Sequence, residues 1–211
     1  LSETCGDLYY VTREPGAQEW SEAILVNTEA GSVKNFGATG RAELALGKNA
    51  RPHVTWFKPG LMAFFYTRQA DDDAAFEPQR DLVTENEKGV EASAAGAADP
   101  DGHGYLVWHA GPFAHEDSRA VFFRHSTDEG KTFGEERRAG TIEEGACACC
   151  GLGALAGPKG RFLIVYRAAG ESVQGRHVGV GRSPTLLTLA VDLAGLGVGD
   201  ALAGRRRPLP Q

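Results

Sequence analysis

One pattern of residues recurs along this chain at a spacing of 57 positions. Its clearest copy is Ser126-Thr127-Asp128-Glu129-Gly130-Lys131-Thr132-Phe133, which directly follows the apolar run 120–123. Weaker copies begin 57 and 114 positions earlier, at Gln69 and Thr12, and each again follows a strand-like run. The earliest copy has its aromatic residue, Trp20, one place late. A fixed period of this length indicates a repeat architecture.

A second landmark lies between the copies, where an apolar segment ends in an aromatic residue. A small-residue run with a turn signal precedes each such segment, and the three segments are Arg51-Pro52-His53-Val54-Thr55-Trp56, Gly104-Tyr105-Leu106-Val107-Trp108-His109 and Arg161-Phe162-Leu163-Ile164-Val165-Tyr166-Arg167. The repeat therefore reads as four strands in 57 residues, the size of a large propeller blade. We expect an all-β propeller; the runner-up, an immunoglobulin-type β-sandwich, does not account for the period.

The turn between the third and fourth strands has a physical explanation of its own. The short oxygen-bearing side chains of Ser126 and Asp128 can accept hydrogen bonds from nearby backbone N–H groups. Gly130 can adopt a positive φ, and Phe133 can be buried between blades. A calcium loop is the alternative, but the acidic residues are too few and lack the EF-hand spacing. The pattern favours a structural turn.

The motif Ser126-X-Asp128-X-Gly130-X-Thr132-Phe133 resembles the Asp box, or BNR repeat, of the sialidase superfamily. The weaker copies depart from it, with Glu14 in place of the Asp and Asp73 in place of the Gly. The resemblance extends over residues 8–167 and is closest to uncharacterised bacterial sialidase-like proteins. It implies an incomplete sialidase-type β-propeller, with three four-stranded blades in residues 1–175 and a degenerate blade or weakly ordered tail in 176–211.

In such propellers the Asp boxes lie on one face as scaffold, and substrate binds on the opposite face. The loops that enter the first strands and those that join the second strands to the third build that binding face. Here the resemblance places on it Arg41, Glu43 and residues 57–60, 87–91, 109–117, 147–150 and 167–171.

Sialidases use an arginine cluster for the substrate carboxylate, an aspartate acid/base and a tyrosine nucleophile that a glutamate activates. Arg41 and Arg167 are the arginines that the repeat places near the binding face, and the planar fork of arginine suits a carboxylate. The family's Arg-Ile-Pro signature is absent, and no Tyr–Glu pair follows from the spacing. Glu116 and Asp117 could supply acid/base chemistry, or be solvated loop acids.

A ligand-binding rim is a second possibility for this face. Trp108 would stack on a sugar, while His109, His115 and Arg167 would bond its hydroxyls or carboxylate. The alternative is that the aromatic residues at the strand ends pack between blades. The expected partner is a glycan or glycoconjugate. If the chain is active, it is a glycoside hydrolase of exo-α-sialidase type; otherwise it is a non-catalytic propeller that binds glycan or protein.

The cluster Cys147-Ala148-Cys149-Cys150 enters a first strand on the same face. Three interpretations remain open: a thiolate site for copper(I) or zinc, a disulfide within the cluster or with Cys5, and small buried residues. The resemblance implies no cofactor.

Charge and hydropathy exclude two classes of partner. A net charge of -6 with both signs mixed gives no basic surface for nucleic acid. No run of 18 apolar residues exists that could span a membrane. The chain begins at Leu1 without a basic-then-apolar leader, so we expect that a leader was removed or that the start is missing. The resemblance implies an extracellular or periplasmic location.

The repeat stops after the third copy. A further step of 57 reaches Ser183, where only the serine is kept, and all aromatic residues lie at or before Tyr166. The chain of 211 residues holds fewer than four repeats, whereas sialidase propellers close with six blades, so we interpret it as a piece of such a propeller. The other interpretation of the end is a divergent tail with a short helix over 185–196.

We predict that the sequence leaves its family's reading frame shortly after Glu171. Translation of the alternative frames of the encoding DNA should then give a Ser-X-Asp-X-Gly-X-Thr-aromatic motif near that point. If neither frame contains it, the prediction is wrong.

Overall fold

The fold was determined as a computed structural model, which describes residues 5–34, 42–57, 64–72, 74–86, 94–112, 115, 118–139, 145–147, 151–167 and 187–192. The described residues form fifteen β-strands and one short 3-10 turn, Lys48–Ala50. Every strand pair is antiparallel. The all-β prediction is confirmed.

The strands group into four consecutive units, which we call blades 1 to 4. Blade 1 consists of two short pairs, β1 with β4 and β2 with β3, and its strands are β1 Cys5–Gly6, β2 Tyr9–Tyr10, β3 Ile24–Leu25 and β4 Val33–Lys34. Blade 2 is a four-stranded meander of β5 Glu43–Leu46, β6 Pro52–Phe57, β7 Phe64–Arg68 and β8 Arg80–Asp81. Blade 3 repeats it with β9 Ala95–Ala98, β10 Gly104–Ala110, β11 Ala120–Ser126 and β12 Arg137–Ala139. Blade 4 contains β13 Gly153–Gly157, β14 Arg161–Tyr166 and β15 Leu187–Asp192.

The second strands of blades 2 and 3 are buried on both faces because a blade packs against each side. All seven residues of β10 are buried, and Leu106 and Trp108 face blade 2 while Tyr105 and Val107 face blade 4. Such a strand reads as a continuous apolar run rather than as an alternating one. The hydrophobic core of the molecule is therefore a series of interfaces between consecutive blades.

In the turns of blades 2 and 3, an aromatic residue reaches the preceding blade. Phe133 of blade 3 packs edge-on against Tyr66 of blade 2, with ring centroids 4.9 Å apart. Phe76, 57 positions earlier, packs in the same way against Tyr10 of blade 1, at 5.7 Å. Edge-to-face pairs contribute stabilisation beyond their buried area. The same contact is thus repeated at two successive interfaces.

Polar contacts repeat at the same interfaces. Glu136 accepts hydrogen bonds from the backbone N–H groups of three residues that follow the last strand of blade 2, at 2.7 to 3.0 Å: Thr84, Glu85 and Asn86. Gln79, 57 positions before Glu136, accepts hydrogen bonds from the backbone N–H groups of Thr28 and Glu29, which follow β3 of blade 1. One side chain thus satisfies backbone donors of the neighbouring blade, which fixes the rotation between blades.

The turn after β11 has the hydrogen bonds that its residues predict. The Ser126 hydroxyl accepts from the Gly130 N–H at 2.8 Å and donates to the Asp128 carboxylate at 2.7 Å. Asp128 also accepts from the N–H and the hydroxyl of Thr132, at 2.8 and 2.6 Å. Both carboxylate oxygens of Asp128 are therefore used within the turn.

All three copies of the turn close with the same backbone bond, nine residues apart. The donors are Ser21, Glu77 and Gly134 and the acceptors are the carbonyls of Thr12, Arg68 and His125, at 2.8, 2.9 and 2.9 Å. The glycine also matches, because φ is 83° at Gly16 and 81° at Gly130. Both weak copies therefore keep the closing bond of the strong copy, and the first also keeps its φ at the glycine.

Gly130 lies against blade 2 at a distance that only glycine permits. A Cβ at this position would lie 1.9 Å from the Tyr66 hydroxyl oxygen and 3.2 Å from His53. The Tyr66 hydroxyl is itself 2.7 Å from Nδ1 of His53, and Arg80 donates to the carbonyls of Gly130 and Lys131. A side chain at position 130 would therefore push blades 2 and 3 apart.

The helix considered for residues 185–196 is wrong over the part that the structure describes. Residues 187–192 form β15, which pairs with β14 from Arg161↔Asp192 to Tyr166↔Leu187. The sequence Leu-Thr-Leu-Ala-Val-Asp alternates with the period of a strand, and the open edge of β14 supplies hydrogen-bond partners. Pairing with this edge therefore decides the conformation.

We predict that Gly130→Ala destabilises the fold by about 3 kcal/mol or more, because a strained φ and an overlap with Tyr66 add together. Gly16→Ala is the matched control, since its φ is equally positive but nothing lies within 4 Å of its Cβ position. It should cost about 1 kcal/mol. Urea unfolding measures both, and Tyr66→Phe should reduce the cost of Gly130→Ala. Equal costs at both glycines would contradict the close contact.

We predict that Asp128→Asn lowers the free energy of unfolding by about 1 to 2 kcal/mol at neutral pH. Partial burial alone raises the Asp128 pKa, but hydrogen bonds from Thr132 and Ser126 outweigh it and lower this pKa to about 2. The stabilisation is thus present above the ordinary value of 3.8 and is lost as pH falls towards 2. Urea titrations between pH 2 and 7 measure how much free energy of unfolding is lost as pH falls. This loss should be smaller in Asp128→Asn than in the parent, whereas Glu14→Gln should behave like the parent.

Candidate functional site

The turns that close between residues 12 and 21, 68 and 77, and 125 and 134 are called the box turns below. The candidate site is the opposite face, where β6, β10 and β14 end. Several residues that the sequence assigns to this face lie outside the described residues: Arg41, Glu116, Asp117, Cys149 and Cys150. The described part is built from the residues at the ends of β10 and β14 and from the segment 145–147 that precedes β13.

Arg167 and Cys147 hold each other at the end of β14. The Cys147 N–H donates to the Arg167 carbonyl at 2.9 Å, and Nη1 of Arg167 donates to Sγ of Cys147 at 3.2 Å. Cys147 is 2% exposed, so the partner that orients the guanidinium is itself fixed in the core. The sequence predicted both residues on this face, but not the contact between them.

Trp108 lies in the interface between blades 2 and 3 and is fully buried. Its indole N–H donates to the Asn86 carbonyl at 2.9 Å, and its ring stacks on Phe122 at 6.2 Å. Trp56 makes the same type of bond, to the Ser32 carbonyl at 3.1 Å. This repeated geometry matches the alternative of packing between blades rather than stacking on a sugar.

The two histidines of the predicted rim lie in different surroundings. His109 is 1% exposed, and it pairs with Val121 across β10 and β11. His115 is exposed, and its carbonyl accepts from the Ser118 N–H at 3.0 Å. Of the two, His115 therefore presents its side chain to solvent.

Arg119 is a second arginine at this end of blade 3, and the sequence did not indicate it. Its side chain is 1% exposed, and Nη1 donates to the carbonyls of Gly111 and Pro112 at 3.4 Å. A Cβ on Gly111 would lie 2.8 Å from Cα of Arg119, and φ at Gly111 is 142°. Gly111, which follows β10, is the sequence signal that could have indicated this contact, because a glycine beside a strand often marks the close approach of another backbone.

Cys5 is exposed and Cys147 is buried, and no disulfide joins the two. The disulfide between these two residues that the sequence left open is therefore wrong. Within the described ranges, no group of three His, Cys, Asp or Glu side chains could hold a metal ion. The environment of Cys147 matches the interpretation as a small buried residue.

The pair His53 and Tyr66 lies towards the box turns, away from this site. Burial, and then the charges of Arg68 and Arg51, lower the His53 pKa to about 4. Burial raises the Tyr66 pKa. Both groups are therefore neutral at pH 7, and their hydrogen bond supports the contact between blades.

No protein-family model and no curated protein matches this sequence. Among solved structures, NanB with optactamide is similar at 13% identity and a TM-score of 0.52, over 77% of this chain and 24% of that one. A mutant of the NanB sialidase from Streptococcus pneumoniae is similar at 15% identity and a TM-score of 0.48, over 75% of this chain and 23% of that one. An exo-1,5-α-L-arabinanase from a bovine ruminal metagenomic library is similar at 13% identity and a TM-score of 0.44, over 88% of this chain and 65% of that one.

The similarity to NanB with optactamide, together with the repeated antiparallel blades, shows that the chain has the fold of part of a β-propeller. The chain spans about a quarter of the length of the NanB structures that it matches. Among the described residues, no helix is long and apolar enough to cross a membrane.

Proposed function

We propose that this chain belongs to a sialidase-type propeller that acts on or binds terminal acidic sugars of glycoconjugates, in an extracellular or periplasmic location. The observation that supports this proposal is Arg167, whose guanidinium is held by buried Cys147 on the face opposite the box turns. A fixed guanidinium in this position suits the carboxylate of an acidic sugar.

Arginine has two properties that this task requires. Its planar group carries five N–H donors, two of which can meet one carboxylate in parallel. It also stays charged at every physiological pH. Because the Cys147 contact fixes one nitrogen of Arg167, less side-chain entropy is lost when a ligand binds.

Hydrolysis would need further groups beside the arginine. Glu116 or Asp117 is our candidate for the acid/base, from the loop between β10 and β11. The alternative is a propeller that binds glycan or protein without cleaving it. In both cases the ligand would meet Arg167 and His115, so binding is tested first and hydrolysis second.

We predict that Arg167→Ala weakens binding of N-acetylneuraminic acid by about 10-fold to 100-fold, as expected for loss of hydrogen bonds from a charged donor. Isothermal titration calorimetry measures the affinity, and release from a fluorogenic sialoside measures hydrolysis. Arg161→Ala is the matched control, because Arg161 is exposed at the other end of the same strand, on the side of the box turns. Its affinity should equal that of the parent chain.

Two results would contradict the proposal. One is an unchanged affinity in Arg167→Ala, and the other is an equal loss in Arg161→Ala. Cys147→Ala should cause a smaller loss than Arg167→Ala, because it removes the group that orients the guanidinium and keeps the charge. Binding without hydrolysis would favour the non-catalytic alternative.

A further inference from the structure

His53 is enclosed in the interface between blades 2 and 3. It belongs to β6 and is 4% exposed. The turn of blade 3 lies against its ring, because a Cβ on Gly130 would be 3.2 Å from Cε1 of His53. The turn before β6 also touches the ring, since a Cβ on Gly47 would be 2.6 Å from Nε2. Two positions without a side chain therefore make the space that the imidazole fills.

A hydrogen bond joins His53 to Tyr66, and its direction depends on the protonation of the imidazole. Nδ1 of His53 lies 2.7 Å from the Tyr66 hydroxyl oxygen. In the neutral tautomer with its proton on Nε2, Nδ1 accepts from the hydroxyl, whereas an imidazolium donates from both ring nitrogens. If His53 takes up a proton at Nδ1, the hydroxyl must turn its own hydrogen towards another acceptor. The hydroxyl lies directly against Gly130, so this change occurs where the two blades touch.

Most of the charged groups around His53 are cations. The groups that face it from the start of β6, from β7, from β8 and from the turn of blade 3 are Arg51, Arg68, Arg80 and Glu129. Glu129, the acid of this set, already forms ion pairs with Lys48 and Arg51, at 3.6 and 3.4 Å. Burial, followed by the charges of Arg68 and Arg51, lowers the His53 pKa. An imidazolium would thus be a further cation in a site that is already positive.

The acceptors beside the most deeply buried of these arginines are already used. Arg68 is 1% exposed, and its Nη2 donates to Asp71 and Glu77. Its Nε and Nη1 are buried without a hydrogen-bond partner among the described residues. A buried cation costs free energy unless an acceptor pairs with it. The closed interface therefore favours the neutral form of His53.

We propose that His53 is an acid-sensitive switch in the joint between blades 2 and 3, and that its protonation releases the turn of blade 3 from Tyr66 and Arg80. Movement of the turn away from the ring lets water reach the imidazolium, and this hydration is what the closed joint withholds. Leu106 and Trp108 hold another part of the interface through apolar contacts that do not titrate. The opening is therefore local to the end that carries the box turns.

The direction of the pH effect follows from the hydration of His53 in the two states. In the open joint the pKa of a hydrated histidine is near 6.5, whereas in the closed joint it is about 4. The open joint binds the proton more readily, so the closed joint loses stability as pH falls from about 6.5 to 4. Asp128 and Glu136 stay ionised at pH 5, because their hydrogen bonds outweigh burial and hold their pKa values below the ordinary 3.8 and 4.5. Between pH 7 and 5, His53 therefore acts without these carboxylates.

Hydrogen exchange in the full chain without ligand measures the opening. Glu136 follows the turn of blade 3 and accepts from the backbone N–H groups of residues 84–86 of blade 2, so these amides lose their partner when the turn moves away. Their protection factors, corrected for the intrinsic effect of pH on exchange, should fall at least about tenfold between pH 7 and 5. The Val26 amide, bonded to the Leu8 carbonyl within blade 1, should keep its protection. Unchanged protection at 84–86, or an equal fall at Val26, would overturn the proposal.

His53→Asn separates the effect of this residue from that of the other histidines. Asparagine places its Oδ1 near the position of Nδ1 and can accept from Tyr66, but it does not titrate. Protection at 84–86 should then be the same at pH 7 and pH 5. His115→Gln is the matched control, because His115 is exposed in the loop between β10 and β11, and it should show the same fall as the parent. A fall in His53→Asn as large as that of the parent would contradict the switch.

A direct titration keeps the proposal testable if His53→Asn does not fold. The Cε1–H resonance of His53 in the parent chain is identified by its contact with the Tyr66 ring, whose centroid is 6.0 Å away. Its midpoint should lie at least about one pH unit below 6.5. A midpoint at 6.5 would overturn the proposal, because the closed joint would then not disfavour the imidazolium. Sialic acid binding by Arg167 enters neither measurement, so the two ideas can fail separately.

Discussion

The contact between Gly130 and Tyr66 is the constraint on which the arrangement of the blades depends. Because Gly130 has no Cβ, the turn of blade 3 can touch the Tyr66 hydroxyl, which His53 orients from the same blade. Phe133 of the same turn packs edge-on against the Tyr66 ring. A rotation of either blade would separate these groups and leave buried polar atoms without partners, so one contact fixes both distance and angle.

The turn contacts that stabilise the blades and the residues that we propose for binding lie at opposite ends of the blades. The box turns of blades 2 and 3 hold each of these blades to the preceding one, and they lie at the end of the blade opposite the candidate site. The strand β14 illustrates the separation, with Arg161 at the end that carries the turns and Arg167 at the other. If ligand binds at the end that we propose, substitutions of exposed residues there should change ligand contacts without weakening the turn contacts between blades, as is usual for loops on a rigid scaffold.

The 57-residue period was sufficient to predict the fold, because strand order and turn position follow from it directly. The strand-like run 61–66 that precedes the second copy of the motif lies partly outside the described residues, and its described part belongs to β7, Phe64–Arg68. Arg119 escaped prediction since its location depends on how the chain returns past Gly111, which no local pattern encodes. The 187–192 strand was missed for a related reason: the open edge of β14 is a tertiary partner. For the candidate site, the sequence predicted which face of the blades carries it but not the contacts within it, such as the one between Arg167 and Cys147.

The degenerate turn of blade 2 shows which parts of the motif the fold requires. Asp71 stands where Asp128 does, but it forms ion pairs with Arg68 and Lys131, both at 3.0 Å. Its side chain is 60% exposed, and exposed ion pairs contribute little. The turn nevertheless keeps its closing backbone bond and its aromatic contact through Phe76. The backbone path and the aromatic anchor are therefore the essential elements, and the polar side chains stabilise a geometry that these two already determine.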